Sequence, residues 1–558
     1  MVPKRFSERS LLLLCIFMGV VPAWIGRFSL NQDGISYLDM GDAYLRGDWA
    51  HAINAYWSPM YPWILGLALR LFHPSIWWEN PVVHGVNLVI YIASLFCFRF
   101  FLDCVIRSLQ DERGNGNRDC EPLPEWVIKL LGYGVFLWAT VVLIESSDIT
   151  PDLLIAAWVF LIAGYLVELR SDESYRKFAV FGLLCGFAYL SKTVMFLVSW
   201  ILLAILLFSA RPTKRRIAGV ALAAALFLAV ASPYIAALSR QKGRLTFGDS
   251  GKLAYASMVN PNVPQKHWQG DPPEGGIPKH TTRQLLDKPP VFEFDRPVIG
   301  TYPVWYDPSY WDDGARGAFR LRAQIRVLVQ SARNYSKMLL GQLGLLAGIA
   351  IFVLWGGTAA RKGILYNWPL IVAALVPMAM YSLVLVRSRY VGGFAALLFM
   401  GLLAGIRLPK TSGESRLLSH VTLAVAGTIL FSVLAFLAEF AFTTLTVYSL
   451  PMPKDEIRAA IALQTMGLRP GDPVASIGDG TVDYWARMGR YHVVAEVFSP
   501  EPGAEHFWSE SWERRKLVYE TLRRTGAKAV IVWSPPEGVD PGWVQVGSTN
   551  YYMRFLGN

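Results

Sequence analysis

Residues 178–210 read FAVFGLLCGFAYLSKTVMFLVSWILLAILLFSA, an almost unbroken apolar run. As one helix, at ~1.5 Å per residue, it would reach about 50 Å across a hydrocarbon core only ~30 Å thick. Its one polar interruption is Ser191-Lys192-Thr193, so the chain is predicted to turn there and cross twice. The stretch from Trp126 to Leu169 is too long for a single crossing for the same reason. Glu145-Ser146-Ser147-Asp148-Ile149-Thr150-Pro151-Asp152 splits it, with Pro151 suited to the first turn of the next helix. Working outward from these breaks, the apolar pattern predicts about 11 spans, near 10–28, 82–102, 126–144, 151–169, 178–191, 193–210, 217–238, 337–355, 368–386, 390–407 and 420–442. The expected fold class is a polytopic α-helical membrane protein.

The composition agrees. Of 558 residues 53% are hydrophobic and 17% charged, against roughly 25% charged in soluble globular proteins. The mean hydropathy is +0.33. A net charge of +11 does not make this a nucleic-acid binder, because the cations are spread over short loops between apolar runs, as in cytoplasmic loops. Cys15, Cys97, Cys104, Cys120 and Cys185 lack metal-ligand spacing and fall in spans or in loops assigned to the cytosol, so no disulfide framework is expected. The basic start followed by the apolar run Leu11–Ile25 is similar to a signal peptide, but no small-residue cleavage site follows, and it reads as an uncleaved first span.

Lys and Arg set the orientation. One side of the membrane receives Lys4, Arg5 and Arg9; Arg107, Arg113 and Arg118; Arg170, Arg176 and Lys177; Arg211, Lys214, Arg215 and Arg216; Arg361 and Lys362; and Arg407, Lys410 and Arg416. That side is read as the cytosol of a bacterial cell with a multi-pass inner (cytoplasmic) membrane protein, N-terminus inside. The C-terminal region, the loops at about 29–81 and 239–336, and the turns holding Asp148, Lys192 and Arg387/Arg389 then lie outside. Within the long loop, Ala315 to Tyr335 reads as an amphipathic helix fit to lie on the outer membrane surface, with Phe319, Ile325, Leu328 and Val329 near one face. Earlier in that loop, Trp268, Trp305, Tyr306, Tyr310 and Trp311, with Asp295, Asp307, Asp312 and Asp313, suit stacking on and hydrogen bonding to sugars, and the Gly/Pro-rich part from Pro261 to Pro278 reads equally as a mobile tether.

Two domains are expected: a transmembrane domain over 1–445 and a small extracytoplasmic α/β domain over 446–558. In the latter, Lys454 to Met466 and Glu513 to Thr525 read as helices, Asp472 to Ile477 and Ala529 to Trp533 as strands, and Trp543 to Phe555 as a hairpin. Gly478 and Gly480 form no dinucleotide fingerprint, lacking a third glycine.

Ionisable residues at or near membrane depth are costly and tend to be functional. Asp33, the acids of 145–152, Lys192, and Arg387 with Arg389 all fall on one side of the predicted topology. A carboxylate can accept a proton from an attacking hydroxyl or amine. Lys and Arg can neutralise a phosphate, Arg through a two-pronged fork. Paired acids can also hold a divalent cation, here Asp33 with Asp152 for Mg or Mn. His51, in the first outer loop, is within reach of a substrate by sequence, though a solvated imidazole is the plainer reading.

The motifs Asp33-Gly34-Ile35-Ser36-Tyr37, Ser58-Pro59-Met60-Tyr61-Pro62, Pro151-Asp152-Leu153-Leu154, Gly186-Phe187-Ala188-Tyr189-Leu190-Ser191-Lys192-Thr193 and Arg389-Tyr390, in that order and sidedness, resemble the GT-C superfamily of membrane glycosyltransferases, over about residues 10–410. By pattern the nearest kin are bacterial protein O-mannosyltransferase-like enzymes and the transferases that add aminoarabinose to lipid A. The resemblance implies an inverting transfer of a sugar from a polyprenyl-phosphate donor to a lipid, glycan or protein acceptor. It assigns catalytic roles to Asp33 and Asp152, with Asp148 close behind, and the lipid-phosphate or substrate contacts to Lys192, Arg389, Arg387, Tyr37 and Tyr61. One departure is Gly34, which stands where many relatives carry a second acid. Two other classes compete: a transporter or flippase, which the absence of paired Gly/Pro-broken half-helices disfavours, and a non-catalytic scaffold presenting the C-terminal domain.

Overall fold

A computed structural model describes residues 7–114, 120–259, 263–294, 299–410, 415–447, 455–499, 504–536, 538 and 540–557. Lys4, Arg5, Arg118, Pro261, Asp295 and Lys454, named above, lie outside the described residues.

Every predicted span overlaps a helix, though the one expected at 337–355 lies later, at Leu343–Tyr366. The helices are α1 (Glu8–Ile25), α4 (Ile76–Gly114), α5 (Glu125–Leu137, continued by a π-helical turn to Leu143), α6 (Asp152–Glu168), α7 (Tyr175–Ser191), α8 (Met195–Phe208), α9 (Lys214–Lys242), α11 (Leu343–Tyr366), α12 (Trp368–Ser382), α13 (Ser388–Gly405) and α14 (Arg416–Phe442). Among the described residues seven helices are long and apolar enough to cross a membrane: α1, α4, α5, α9, α11, α13 and α14. Both predicted breaks are present. The α7–α8 turn is Lys192 to Val194, and residues 144–151 separate α5 from α6. The expected cytosolic loops gather at one end of the bundle, where Arg407 pairs with Glu112 (2.7 Å), Arg107 and Lys177 with Glu168 (both 2.8 Å) and Arg216 with Glu173 (2.9 Å).

The region 29–81 is not a loop. It folds as α2 (Gln32–Leu45), the short turn Trp49–Ala52 and α3 (Met60–Phe72) before α4 begins. α2 lies hard against α3 at a glycine pair: a Cβ on Gly41 would come 3.0 Å from the Pro62 carbonyl and 3.1 Å from the Gly66 nitrogen. α4 has 39 residues, about 58 Å at 1.5 Å per residue, so part of it projects beyond a ~30 Å apolar layer.

The C-terminal domain is a mixed sheet with apolar clusters on both faces. It borrows strands from the long loop, so it is not closed within 446–558. The strands are β1 (Arg283–Asp287), β2 (Pro290–Glu293), β3 (Pro473–Gly478), β4 (His492–Phe498), β5 (Ala529–Trp533), β6 (Val544–Gln545) and β7 (Tyr551–Phe555). Their order is β1-β2-β4-β3-β5-β7-β6, with β3 parallel to β4 and β5 and the other neighbours antiparallel. Helices α15 (Asp455–Thr465), α16 (Tyr484–Gly489) and α17 (Trp512–Arg524) complete it.

The long loop is structured throughout its described part. Val263 and Trp268 are buried in a small core, so the segment after residue 262 is packed and no tether. Trp268, Tyr306 and Trp311 are buried and closed to a sugar, while Tyr310 is exposed and stacks on His280 at 3.9 Å. The predicted amphipathic helix runs later than expected, as α10 (Leu321–Leu340).

Candidate active site

Asp33 occupies the first turn of α2, and Asp152 the first turn of α6. The start of α2 is fixed by Asn31, whose side-chain oxygen accepts from the Ile149 N–H at 3.1 Å. There is no room for an acid at position 34: a Cβ there would sit 2.9 Å from the Asn31 amide oxygen and 3.0 Å from Ile149 Cβ. The segment carrying Asp148 follows the π-helical turn Trp138–Leu143 and holds Glu145 at φ 55°. Such irregular backbone is frequent at functional sites.

These elements bring five charges together. Arg389 Nη2 donates to Asp33 Oδ2 at 2.6 Å, its Nη1 lies 3.8 Å from Asp148 Oδ2, and its Nε lies 3.8 Å from Asp152 Oδ2. Lys192 Nζ donates to Asp152 Oδ1 at 2.5 Å. One guanidinium thus touches three acids, and one ammonium takes the deepest of them. Asp152 is nearly sealed at 3% side-chain exposure, Asp33 is 17% exposed and Asp148 34%. Burial pushes the Asp148 carboxyl up to about 6, against the pull of Arg389.

Aromatic rings wall this cluster. The Lys192 ammonium lies 3.9 Å from the Tyr390 ring centre and 6.0 Å from that of Tyr381, and the Arg389 guanidinium lies 5.3 Å from Tyr390. The Tyr381 hydroxyl is buried without a hydrogen-bond partner among the described residues. Tyr37 is buried edge-on between Trp57 (5.1 Å) and Tyr61 (5.2 Å). The loop from the long insertion caps this side: Ser36 Oγ and Trp57 Nε1 donate to the Trp305 carbonyl at 2.8 and 3.2 Å.

The other expected contacts divide. Tyr61 is fully buried and its hydroxyl donates to Asn87 at 2.7 Å, so it supports the core and has no face for a substrate. Arg387 caps the start of α13, is exposed, and forms no ion pair among the described residues. His51 lies 2.8 Å from Asp48. Among the described residues no three His, Cys, Asp or Glu are grouped as a metal site, and Asp33 and Asp152, the acids expected to share a cation, each face a basic side chain. Sequence reading passed over Tyr381, and named Trp305 only among the loop aromatics suited to sugars. Tyr390 stood beside Arg389 in a quoted motif, and that adjacency was its only signal.

α2 also carries the link to the C-terminal domain. The fully buried guanidinium of Arg487, on α16, lies 3.0 Å from Asp42, 3.0 Å from Glu79 and 3.4 Å from Asp39. Arg490 adds a 2.6 Å pair to Glu79, and the Thr301 N–H donates to Asp39 at 2.6 Å.

No family model matches the chain, and no curated protein matches it by sequence. Solved structures do match by fold. The crystal structure of ArnT from Cupriavidus metallidurans in the apo state aligns with a TM-score of 0.54 over 99% of each chain at 13% identity. The structure of ArnT from the same organism bound to undecaprenyl phosphate aligns at 0.53 over 98% of each chain, again at 13% identity. The oligosaccharyltransferase of Archaeoglobus fulgidus in the apo form aligns at 0.47 over 95% of this chain and 70% of its own, at 12% identity. At such identities the likeness is one of architecture, and this chain has the GT-C-like fold, a helical membrane bundle joined to a C-terminal mixed sheet.

Proposed function

We propose that this chain is a membrane glycosyltransferase that moves a sugar from a polyprenyl-phosphate donor to a lipid, glycan or protein acceptor on the extracytoplasmic face of a bacterial inner membrane. The observation that carries the reading is the convergence of Asp33, Asp148, Asp152, Lys192 and Arg389, distant in sequence, on one end of the bundle. The fold shared with ArnT, a structure of which holds undecaprenyl phosphate, supports the choice of donor. The gathering of short-loop cations at the opposite end supports the sidedness.

In this reading the donor phosphate takes Arg389 away from Asp33 and shares Lys192 with Asp152, with Arg387 at the mouth and the Tyr381 hydroxyl as a further donor. Asp33 is thereby freed. The acceptor oxygen or nitrogen attacks the anomeric carbon from the face opposite the phosphate. The carbon–oxygen bond to phosphate breaks, the polyprenyl phosphate leaves with the electron pair, and the acceptor proton passes to Asp33. Asp148, the most exposed of the three acids, relays that proton to water. Asp152 holds Lys192 in place.

The test is mass spectrometry of surface lipids, glycans and glycoproteins from cells with and without the gene. A sugar lost on deletion should return with the wild type and stay lost, by ~10²–10⁴-fold in turnover, with Asp33→Asn. A glycan profile unchanged by deletion, or full rescue by a folded Asp33→Asn, overturns the proposal.

A further inference from the structure

Helix α10 reads LRAQIRVLVQSARNYSKMLL, with Arg322, Arg326, Arg333 and Lys337 and no Asp or Glu. At 100° per residue its side chains fall into three stripes. The first binds protein. Gln324 Nε2 donates to the Leu383 carbonyl, Ser331 Oγ to that of Ser382 and Asn334 Nδ2 to that of Val386, each at 3.0 Å, and the Tyr335 hydroxyl to that of Met378 at 2.8 Å. These carbonyls belong to the last turn of α12 and to the link that leads into Arg387 and Arg389.

The second stripe is apolar and uncovered. Leu321, Ile325 and Leu328 are 63%, 50% and 40% exposed. The third stripe holds the four cations, all exposed and none paired with an acid among the described residues. The helix ends at Leu340, and α11, of membrane-crossing length, starts at Leu343. α10 is therefore fixed to the end of the bundle that carries Arg389, next to the start of a helix of membrane-crossing length.

We propose that α10 is an interfacial lipid-binding helix. Its apolar stripe rests among acyl chains and its cations bind the phosphates of anionic lipids, while the polar stripe holds the 383–389 link in register with the bilayer surface. The absence of any acid and the side-by-side apolar and cationic stripes fit an anionic bilayer, and a protein partner would need the apolar stripe capped by a second surface. The inference does not depend on which reaction the cluster performs.

The test uses the full chain in nanodiscs of phosphatidylethanolamine and phosphatidylglycerol. Cys97 and Cys120 are replaced by serine, since the other three cysteines are buried. A nitroxide is placed at Leu328→Cys in one sample and at Gln330→Cys in another, on opposite sides of the helix. The label at 328 should collide with lipid-soluble oxygen and be shielded from a water-soluble nickel chelate, with the reverse at 330. A label at 328 open to the chelate, or shielded from both agents as under a protein partner, overturns the proposal. Lipid co-purified with the wild type should be enriched in phosphatidylglycerol. Each cation at an anionic surface contributes about fivefold in partitioning, so the joint replacement of Arg322, Arg326, Arg333 and Lys337 by glutamine should lower that enrichment at least severalfold. Unchanged enrichment would refute the role of the cations. If that variant does not fold, the label pair still decides.

Discussion

Replacing Arg389 probes the site at its hub, because that one guanidinium reaches Asp33 at 2.6 Å and Asp148 and Asp152 at 3.8 Å. Arg389→Gln would leave three acids facing Lys192 alone. The pair with Asp33 is four-fifths buried, with side chains 20% and 17% exposed, so its charged hydrogen bond is worth ~1.5–3 kcal/mol. If the same guanidinium passes to the donor phosphate during reaction, a similar sum is lost from the transition state, roughly 10–150-fold in kcat/KM for the donor. Arg389→Lys keeps the charge but loses the fork, and should cost about tenfold. The informative variant is Asp33→Asn/Arg389→Gln. It removes both halves of the pair, so thermal unfolding in detergent should recover most of the ~1–3 kcal/mol lost by Arg389→Gln. Turnover, followed with labelled sugar on a polyprenyl phosphate, should stay at the level of the worse single variant. Turnover of folded Arg389→Gln within about threefold of wild type, or recovery of both stability and turnover in the double variant, would mean that the pair is structural and the phosphate role is wrong.

Three further outcomes are expected. Asp148 is neutral below about 6 and ionised above, so kcat/KM should rise with pH through that value, and the limb should vanish in Asp148→Asn. Arg487→Met strands Asp39, Asp42 and Glu79 without their shared cation, and should destabilise the chain by ~3–5 kcal/mol in thermal unfolding, far more than Arg490→Met at its exposed rim. Gly34→Ala drives a methyl against Asn31 and Ile149, and should cost turnover more than stability by shifting Asp33 within its turn, as seen by comparing activity with the unfolding temperature.

The spans were legible because each helix in lipid must satisfy its own backbone, and the breaks because charge interrupted the apolar run at Ser191-Lys192-Thr193 and at 145–152. The strand Ala529–Trp533 was legible for a related reason, an apolar β-branched run closed by turn residues. α2 was not. Its sequence mixes Asp33, Asp39 and Asp42 with apolar residues, and those acids are tolerated only because Arg389 and Arg487 reach them from far along the chain. β4 was hidden by Glu496 in the middle of His492–Phe498, a buried carboxylate that Tyr302, His267 and the Gly480 N–H satisfy. β1 and β2 join the sheet through β4, whose residues lie about two hundred positions on, and no local pattern announces such a pairing. What sequence reading missed in α2 and β4 is polar structure stabilised by partners remote in the chain.

That distinction bears on how the site works. α2 is held at one end by Arg389 and along its opposite side by Arg487, so a single helix of 14 residues ties the charged cluster to the C-terminal domain. Neither tie is a surface pair: Arg487 is fully buried and Arg389 four-fifths buried. If the donor phosphate takes Arg389, α2 loses one anchor and keeps the other. Asp33 then stays in place, its carboxylate released, because Asp39 and Asp42 still hold the helix to Arg487. A base that must lose its partner without losing its position needs a second, independent anchor, and under the proposed function the C-terminal domain would supply it. Under that proposal the domain has a mechanical role that asks for no catalytic residue of its own.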